Sequence, residues 1–296
     1  MRFETTTQRP VEARGVGLHS GVAVSIRILP APAASGIVFI RTDLDRFPIP
    51  AIWRYVARVS YATSLMRQGV LISTTEHLLS VFYGMGIDNA IVEIDSLEAP
   101  ILDGSGRPFV ELLSRAGRRQ LRRKRRYLRV RRPIVVRDGS KRISILPAES
   151  FRITCATDFD HPLAGRQELD LEVTPERYER EIAGARTFGF ERDLDRMRDM
   201  GLIRGASLTN AICFTGRGIL NPEGLRFPDE CCRHKVLDLI GDLALIGRPL
   251  VGHVIADRAG HAMHTALVAQ IRNDRSAYEL VTLDRLATEA ARALVG

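Results

Sequence analysis

The sequence predicts an α+β fold: two tandem domains, each a two-layer sheet-plus-helices sandwich, with a candidate active site in the cleft between them. Three observations carry this. Short alternating segments in the first half give way to helical patterns, and the second half repeats that order. Antiparallel strands followed by helices on one face make an α+β unit. Residues with metal-ligand chemistry are divided between the halves, and pockets favour such interfaces. The two domains are read as 1–122 and 123–296, with no convincing internal sequence repeat.

In order along the chain, alternation predicts strands near Val22–Leu29, Ile37–Arg41, Trp53–Val59 and Val70–Ile72. A helix over Thr74–Tyr83 follows from Leu78, Leu79, Val81 and Phe82 at helical spacing. A strand is expected at Ala90–Ile94, and a helix near Pro108–Arg115. Between them, Asp103-Gly104-Ser105-Gly106 is turn chemistry. Second-half strands are expected near Leu128–Val136, Ile143–Leu146, Phe151–Ala156 and Glu168–Val173. A helix begins after Thr174-Pro175, because proline is favoured at the first helical position. A long helix Asp229–Leu245, a strand Leu250–Ala256 and a helix His261–Ile271 complete the set.

The chemistry-bearing residues sit on these elements. His234, Asp238 and Asp242 recur four residues apart. At about 3.6 residues per turn they fill one arc roughly 80° wide, opposite Val236, Leu239, Ile240 and Leu243. A helix with such a face can present two metal ligands, and His with Asp suits a cation such as Zn²⁺; a solvated acidic face is the alternative. Ser73-Thr-Thr-Glu-His77 places Glu76 and His77 in a first helical turn. His77, His234 and Asp238 would leave a fourth position for water, with Glu76 beside it to take a proton. Ser73 and Glu76 also have the spacing of a capping box, which would turn Glu76 back to the backbone. Gly260 separates a strand from a helix and puts His261 at an exposed turn, where it could act as an acid or steady an oxyanion. Gly15-Val-Gly17 lacks the spacing of a phosphate loop, and His19 is a possible neighbour of the site.

Composition sets limits. The chain of 296 residues is 45% hydrophobic, enough for two cores. No stretch reaches the roughly 18 apolar residues of a membrane span. The N-terminal residues lack an apolar signal core, so a cytoplasmic protein is expected. Cys155, Cys213, Cys231 and Cys232 form no CxxC pair and are read as reduced. The net charge of +8 is misleading: Arg115–Arg132 holds eleven Lys and Arg and no acid, and the rest of the chain carries 32 basic and 35 acidic residues. A nucleic-acid protein usually spreads basic residues over a face with polar or aromatic contacts, so nucleic acid is not an expected partner. A solvated crossover between domains and a contact with anionic lipid headgroups both stay open.

Taken in order, Gly15-Val-Gly-Leu-His-Ser-Gly21, Ser73–Leu79, Pro100-Ile-Leu-Asp-Gly-Ser105, Arg186-Thr-Phe-Gly-Phe190, Leu225-Arg-Phe227, Arg233–Leu243 and Gly260-His261 span most of the chain. Their combination resembles the UDP-3-O-acyl-N-acetylglucosamine deacetylase family, zinc enzymes of early lipid A synthesis. The resemblance implies that His77, His234 and Asp238 are zinc ligands and Glu76 the general base. It implies that His261 is the acid or oxyanion support and that Asp242 pairs with it. Lys235 and Thr187 would lie near the reacting carbonyl. Phe188 and Phe190 would line the substrate cleft, and Lys141, Asp158, Phe159 and Arg258 would lie near the uridine and phosphate end. The substrate implied is a UDP-linked, acylated N-acetylglucosamine, cleaved to the free glucosamine and acetate, by a monomer. The acyl chain makes peripheral membrane contact through the basic run attractive, since each basic residue can add about 1 kcal/mol at an anionic surface. Two stretches depart from the family pattern: Met263-His264 stands where Leu-Asn is common, and Cys213-Phe-Thr-Gly216 replaces an acidic, valine-rich segment. The alternative is a divergent zinc amidohydrolase acting on another N-acyl sugar.

Overall fold

The computed structural model describes residues 1–286; the last ten residues of the expected second domain lie outside them. Within that range the fold is α+β, with two main sheets, of five and seven strands, each packed against helices. The first sheet has the strand order Val11–Val16, Ala23–Pro30, Ala90–Ile94, Ile37–Arg41, Phe47–Pro50. All neighbours are antiparallel except Ala90–Ile94 with Ile37–Arg41. Helices α1 (Glu76–Gly84) and α2 (Arg107–Ala116) bury Leu78, Leu79, Phe82, Phe109 and Leu113 in the core. A three-stranded sheet, Val56–Arg58, Ser64–Arg67 and Val70–Ile72, leads into α1.

The second sheet is built around Leu250–Asp257, which pairs with Arg126–Val130 at its start. Further along it pairs with Lys141–Leu146 on one side and Phe151–Thr157 on the other. Ile134–Asp138, Gln167–Glu172 and Tyr278–Thr282 extend it. Among the described residues this half carries α3 (Pro175–Arg177), which runs on into a π-helical turn over Tyr178–Ile182, α4 (Glu191–Asp199), α5 (Glu230–Ala244) and α6 (His261–Asn273). Thr174 caps α3 by accepting from the Arg177 backbone N–H, with Pro175 at the first position as expected.

Helix α5 joins the halves. Its apolar residues Val236, Leu239, Ile240 and Leu243 are buried, and so are His234, Asp238 and Asp242. The solvated-face alternative is therefore excluded. Gly241 is the contact point with α1: a Cβ there would lie 2.0 Å from the Glu76 carbonyl oxygen. Only glycine lets the start of α1 approach α5 so closely.

The structure revises several elements. The expected strand Leu128–Val136 is two strands, Arg126–Val130 and Ile134–Asp138. Pro133 between them has no N–H to continue a ladder. The basic run is mostly exposed and links the two halves, but it is paired strand rather than loop. Arg118–Lys124 is a strand that pairs antiparallel with Phe3–Thr7, and Arg126–Val130 enters the second sheet. Much of its charge is matched: Arg123 meets Glu4, Lys124 meets Asp284, Arg125 meets Asp88, Arg129 and Arg131 meet Glu279, and Arg132 meets Asp274.

Candidate active site

The site forms where the first turn of α1 faces the middle of α5 and the first turn of α6. Thr74 enters α1 with φ +55°, and its hydroxyl donates to Glu98 at 2.9 Å. Buried Glu98 also accepts the backbone N–H groups of His19 and Ser20, so one carboxylate fixes both loops. Glu76 is the first residue of α1, and the capping box does not form. Glu76 Oε2 accepts the Thr63 N–H at 3.0 Å, and Ser73 Oγ instead accepts from Ser64. The Glu76 carboxylate is thus held toward the cleft.

His77, His234 and Asp238 present ligand atoms within 4.8 Å of one another, all from buried side chains. Asp238 Oδ1 lies 3.6 Å from His77 Nε2 and 3.4 Å from His234 Nε2. Lys235 donates to the other oxygen, Oδ2, at 2.8 Å, which keeps Oδ1 for the histidines. His234 Nδ1 faces the Ala185 carbonyl at 3.1 Å, which fixes the tautomer that leaves Nε2 as the ligand atom. His77 Nδ1 is buried without a hydrogen-bond partner among the described residues. Two imidazoles and a carboxylate, with an adjoining cavity for water, are a donor set that fits zinc. Burial lowers the His234 pKa to about 3, so it is neutral and able to ligate at pH 7. Burial raises Asp238, but Lys235 and His234 outweigh it and hold the carboxyl well below its ordinary range.

A second group, Asp242, His261 and His264, lies beside the first. Here the hydrogen bonds close on themselves. Asp242 Oδ2 meets His261 Nδ1 at 2.7 Å and His264 Nδ1 at 2.8 Å, and Thr63 Oγ1 donates to Oδ1. Both carboxylate oxygens are engaged, so we read a positioning network rather than a metal cage. His261 Nε2 then points to Glu76 Oε1 and Asp238 Oδ2, at 4.0 and 3.9 Å. Burial lowers the His261 pKa, but Asp242 overrides it and raises it to about 9. His264 goes the other way, lowered chiefly by burial. Burial also raises Glu76.

These groups open into a cavity of about 640 Å³. Its walls include Glu76, His77, Lys141, Thr187, Phe188, His234, Lys235, Asp238 and His261. Leu18, Leu194, Met197, Ile203, Leu208 and Met263 line a markedly apolar part. Thr187 is set by the Asp103-Gly104 turn, where its N–H donates to the Gly104 carbonyl at 2.8 Å. Gly104 has φ +83°, and a Cβ there would meet the Asn210 carbonyl at 2.1 Å. The neighbouring Arg186, 2% exposed, donates to Glu230 Oε1 and the Gly224 carbonyl, tying this loop to the start of α5.

Not every expected residue reaches the cavity wall. Phe159 and Phe190 pack with Phe188 in an aromatic cluster that continues through Phe214. Asp158 is exposed, and Arg258 donates to the Ser140 carbonyl. None of Asp158, Phe159, Phe190 and Arg258 lines the cavity. His19 does, and neither of its buried ring nitrogens has a partner among the described residues. Sequence reasoning missed Thr63, which carries no local signal. It also missed His264, which sits three residues after His261 on the same helix face and could have been found from that spacing.

Comparison with known proteins gives a consistent picture. Residues 4–273 match the family described as UDP-3-O-acyl N-acetylglycosamine deacetylase. A protein of Solibacter usitatus is 73% identical over 295 residues, covering 100% of both chains. A Myxococcus xanthus protein is 48% identical over 95% of this chain and 90% of its own. One from Marinobacter nauticus is 42% identical over 96% of this chain and 95% of its own. All three bear the name UDP-3-O-acyl-N-acetylglucosamine deacetylase.

Proposed function

We propose that this chain, which belongs to the UDP-3-O-acyl N-acetylglycosamine deacetylase family, hydrolyses the acetamide of UDP-3-O-(3-hydroxyacyl)-N-acetylglucosamine with zinc. The protein is a deacetylase, a hydrolase acting on an amide. The observation that carries the metal reading is the convergence of His77, His234 and Asp238 at the floor of one cavity. Zinc held there would activate a water and polarise the acetamide carbonyl.

The chain's own residues do the rest. Glu76, oriented by the Thr63 N–H, takes the proton of the attacking water. Its raised pKa suits a base that must hold a proton through the reaction. Thr187 and Lys235 flank the reacting carbonyl and support the developing negative charge. His261 enters protonated, because Asp242 stabilises its imidazolium, and donates from Nε2 to the leaving nitrogen. Acetate and the free amine leave. The apolar part of the cavity takes the acyl chain, and Lys141 meets the anionic nucleotide end.

We further propose the division 1–122 and 123–296, a cytoplasmic monomer, and a peripheral membrane contact at the basic run. One chain supplies every group of the site, and among the described residues no helix is long and apolar enough to cross a membrane. The strand Arg118–Lys124 pairs with Phe3–Thr7, whose Thr5 reaches Gly86 and Asp88 beyond the far end of α1. A nine-residue helix is about 13 Å long. Membrane contact there would thus leave the catalytic cavity on the other side. The relatives' names do not favour another N-acyl sugar as substrate.

The test pairs metal content with acetate release, for the wild type and His234→Ala. About one zinc per chain with turnover, both lost in the variant, is the expected result. Turnover that survives without stoichiometric metal would refute the zinc reading.

A further inference from the structure

A second cavity, of about 270 Å³, opens at the opposite ends of the two catalytic helices. Tyr83 closes α1 there, and Ala244 and Gly247 close α5. Its walls therefore come from both halves. Three arginines line it, Arg125, Arg248 and Arg272, against a single acid, Asp88.

The acid is already committed. Asp88 accepts Arg125 Nε at 2.8 Å and the Thr5 N–H at 2.9 Å. Arg248 comes no closer than 3.9 Å to Glu4, which Arg123 approaches to 3.1 Å. Arg272 has a long contact of 3.5 Å to the Tyr278 hydroxyl and lies over that ring at 6.0 Å, and its Nε is buried with no hydrogen-bond partner among the described residues. Cations at helix C-termini are ordinarily explained by the negative end of the helix dipole. That explanation is weak here, because backbone groups already cap these carbonyls. The N–H groups of Leu245, Ile246 and Gly247 take the Asp242, Leu243 and Ala244 carbonyls. Met85, Gly86 and Ile87 do the same for Val81, Tyr83 and Phe82.

Like charges that outnumber the acids at a concave site favour an anion, and guanidinium groups fit phosphate oxygens in a bidentate manner. Ile37, Ile52, Leu79 and Ile246 form apolar walls beside them. We infer that this rear cavity is a second binding site, for a phosphate monoester, which clamps the far ends of α1 and α5 together. The shared chemistry is the phosphate group, whether on a free metabolite or on a short-tailed lipid headgroup.

The experiment is thermal unfolding of the zinc-loaded protein at constant ionic strength, titrated with inorganic phosphate or with dihexanoyl phosphatidic acid below its micellar range. Chloride serves as the control. At 100 times Kd a single site is expected to raise Tm by roughly 5 °C in a chain of this size. Above Kd the rise grows with the logarithm of ligand concentration in the wild type, and it vanishes in the double variant Arg248→Gln/Arg272→Gln, whose turnover in phosphate-free buffer stays at the wild-type level. Arg248→Gln alone, on a partly exposed side chain, weakens it several-fold and serves if the double variant does not fold. The probe whose rise sets in at the lower concentration identifies the source of the phosphate. No rise beyond the chloride control with either probe, or an equal rise in the variants, overturns the inference.

Discussion

Replacing Gly241 by alanine tests whether the active site depends on the close contact of α1 with α5. The new Cβ would lie 2.0 Å from the Glu76 carbonyl oxygen, 2.7 Å from its carbon and 2.9 Å from its Cα. These are backbone atoms and cannot swing aside. Ordinary contact begins near 3.4 Å, so α1 must retreat by about 1.4 Å. Glu76 and His77 ride on that backbone, while His234 and Asp238 stay on α5. The retreat therefore opens the ligand triangle along the His77–Asp238 edge, which measures 3.6 Å. A 1 Å misplacement of reacting groups can cost about 100-fold, so kcat is expected to fall about 100-fold and zinc affinity with it. Overpacking adds about 1–3 kcal/mol of destabilisation. Steady-state acetate release, zinc titration and thermal unfolding on the same preparation separate the effects. A folded Gly241→Ala protein with wild-type kcat and zinc affinity would refute the argument.

Two further changes probe the network behind the metal ligands. Thr63→Val keeps the shape but removes the hydroxyl that donates to Asp242. A hydrogen bond to a charged group is worth about 1.5–3 kcal/mol, so kcat/KM should drop about 10- to 100-fold with zinc content unchanged; loss of zinc instead would place Thr63 in the metal site. His261 gives a pH prediction. Its folded pKa of about 9 exceeds the ordinary 6.5 of an unfolded histidine. The stability it contributes is thus fully present below about pH 6.5 and lost as pH rises through 9. Metal-free wild type should lose Tm across that window relative to His261→Gln, and the basic limb of kcat/KM should vanish in the variant. A variant that keeps both slopes would show that another group titrates.

What the sequence made legible follows from its periodicities. The spacing of His234, Asp238 and Asp242 holds because α5 is regular, so four-residue steps become one face in space. His77 and Glu76 were readable because a helix start is a local signal. Partners distant in sequence were not. Thr63 meets Asp242 across 179 positions, and no local pattern encodes that contact. The Phe3–Thr7 strand hid for a related reason: its partner is a run of arginines, and only pairing makes Arg118–Lys124 a strand. Phe190 misled because its motif does not say which ring faces the cavity. Phe188 lines the wall, while Phe190 turns to Phe159 and Phe214.

The buried charges of the site imply a link between metal and base. Asp238 and Asp242 are held ionised, and Lys235 and His261 are held protonated. Those four balance. Glu76 is the fifth group, and its ionisation adds an uncompensated negative charge in a buried place, which is why its pKa is raised. A divalent cation beside His77 reverses that cost. Zinc binding should therefore favour the carboxylate form of Glu76, the form that acts as a base, and release a proton where Glu76 was protonated. His234, with its pKa near 3, and Asp238 contribute no proton near neutrality. Calorimetric zinc titrations in buffers of different ionisation enthalpy count the protons released. The count should increase as pH falls toward 5, and Glu76→Gln should remove that increase while retaining zinc. His77 is unaltered by that substitution, so the difference isolates Glu76. Equal proton counts in the two proteins would show that metal and base are not coupled, and that Glu76 must be ionised by some other group.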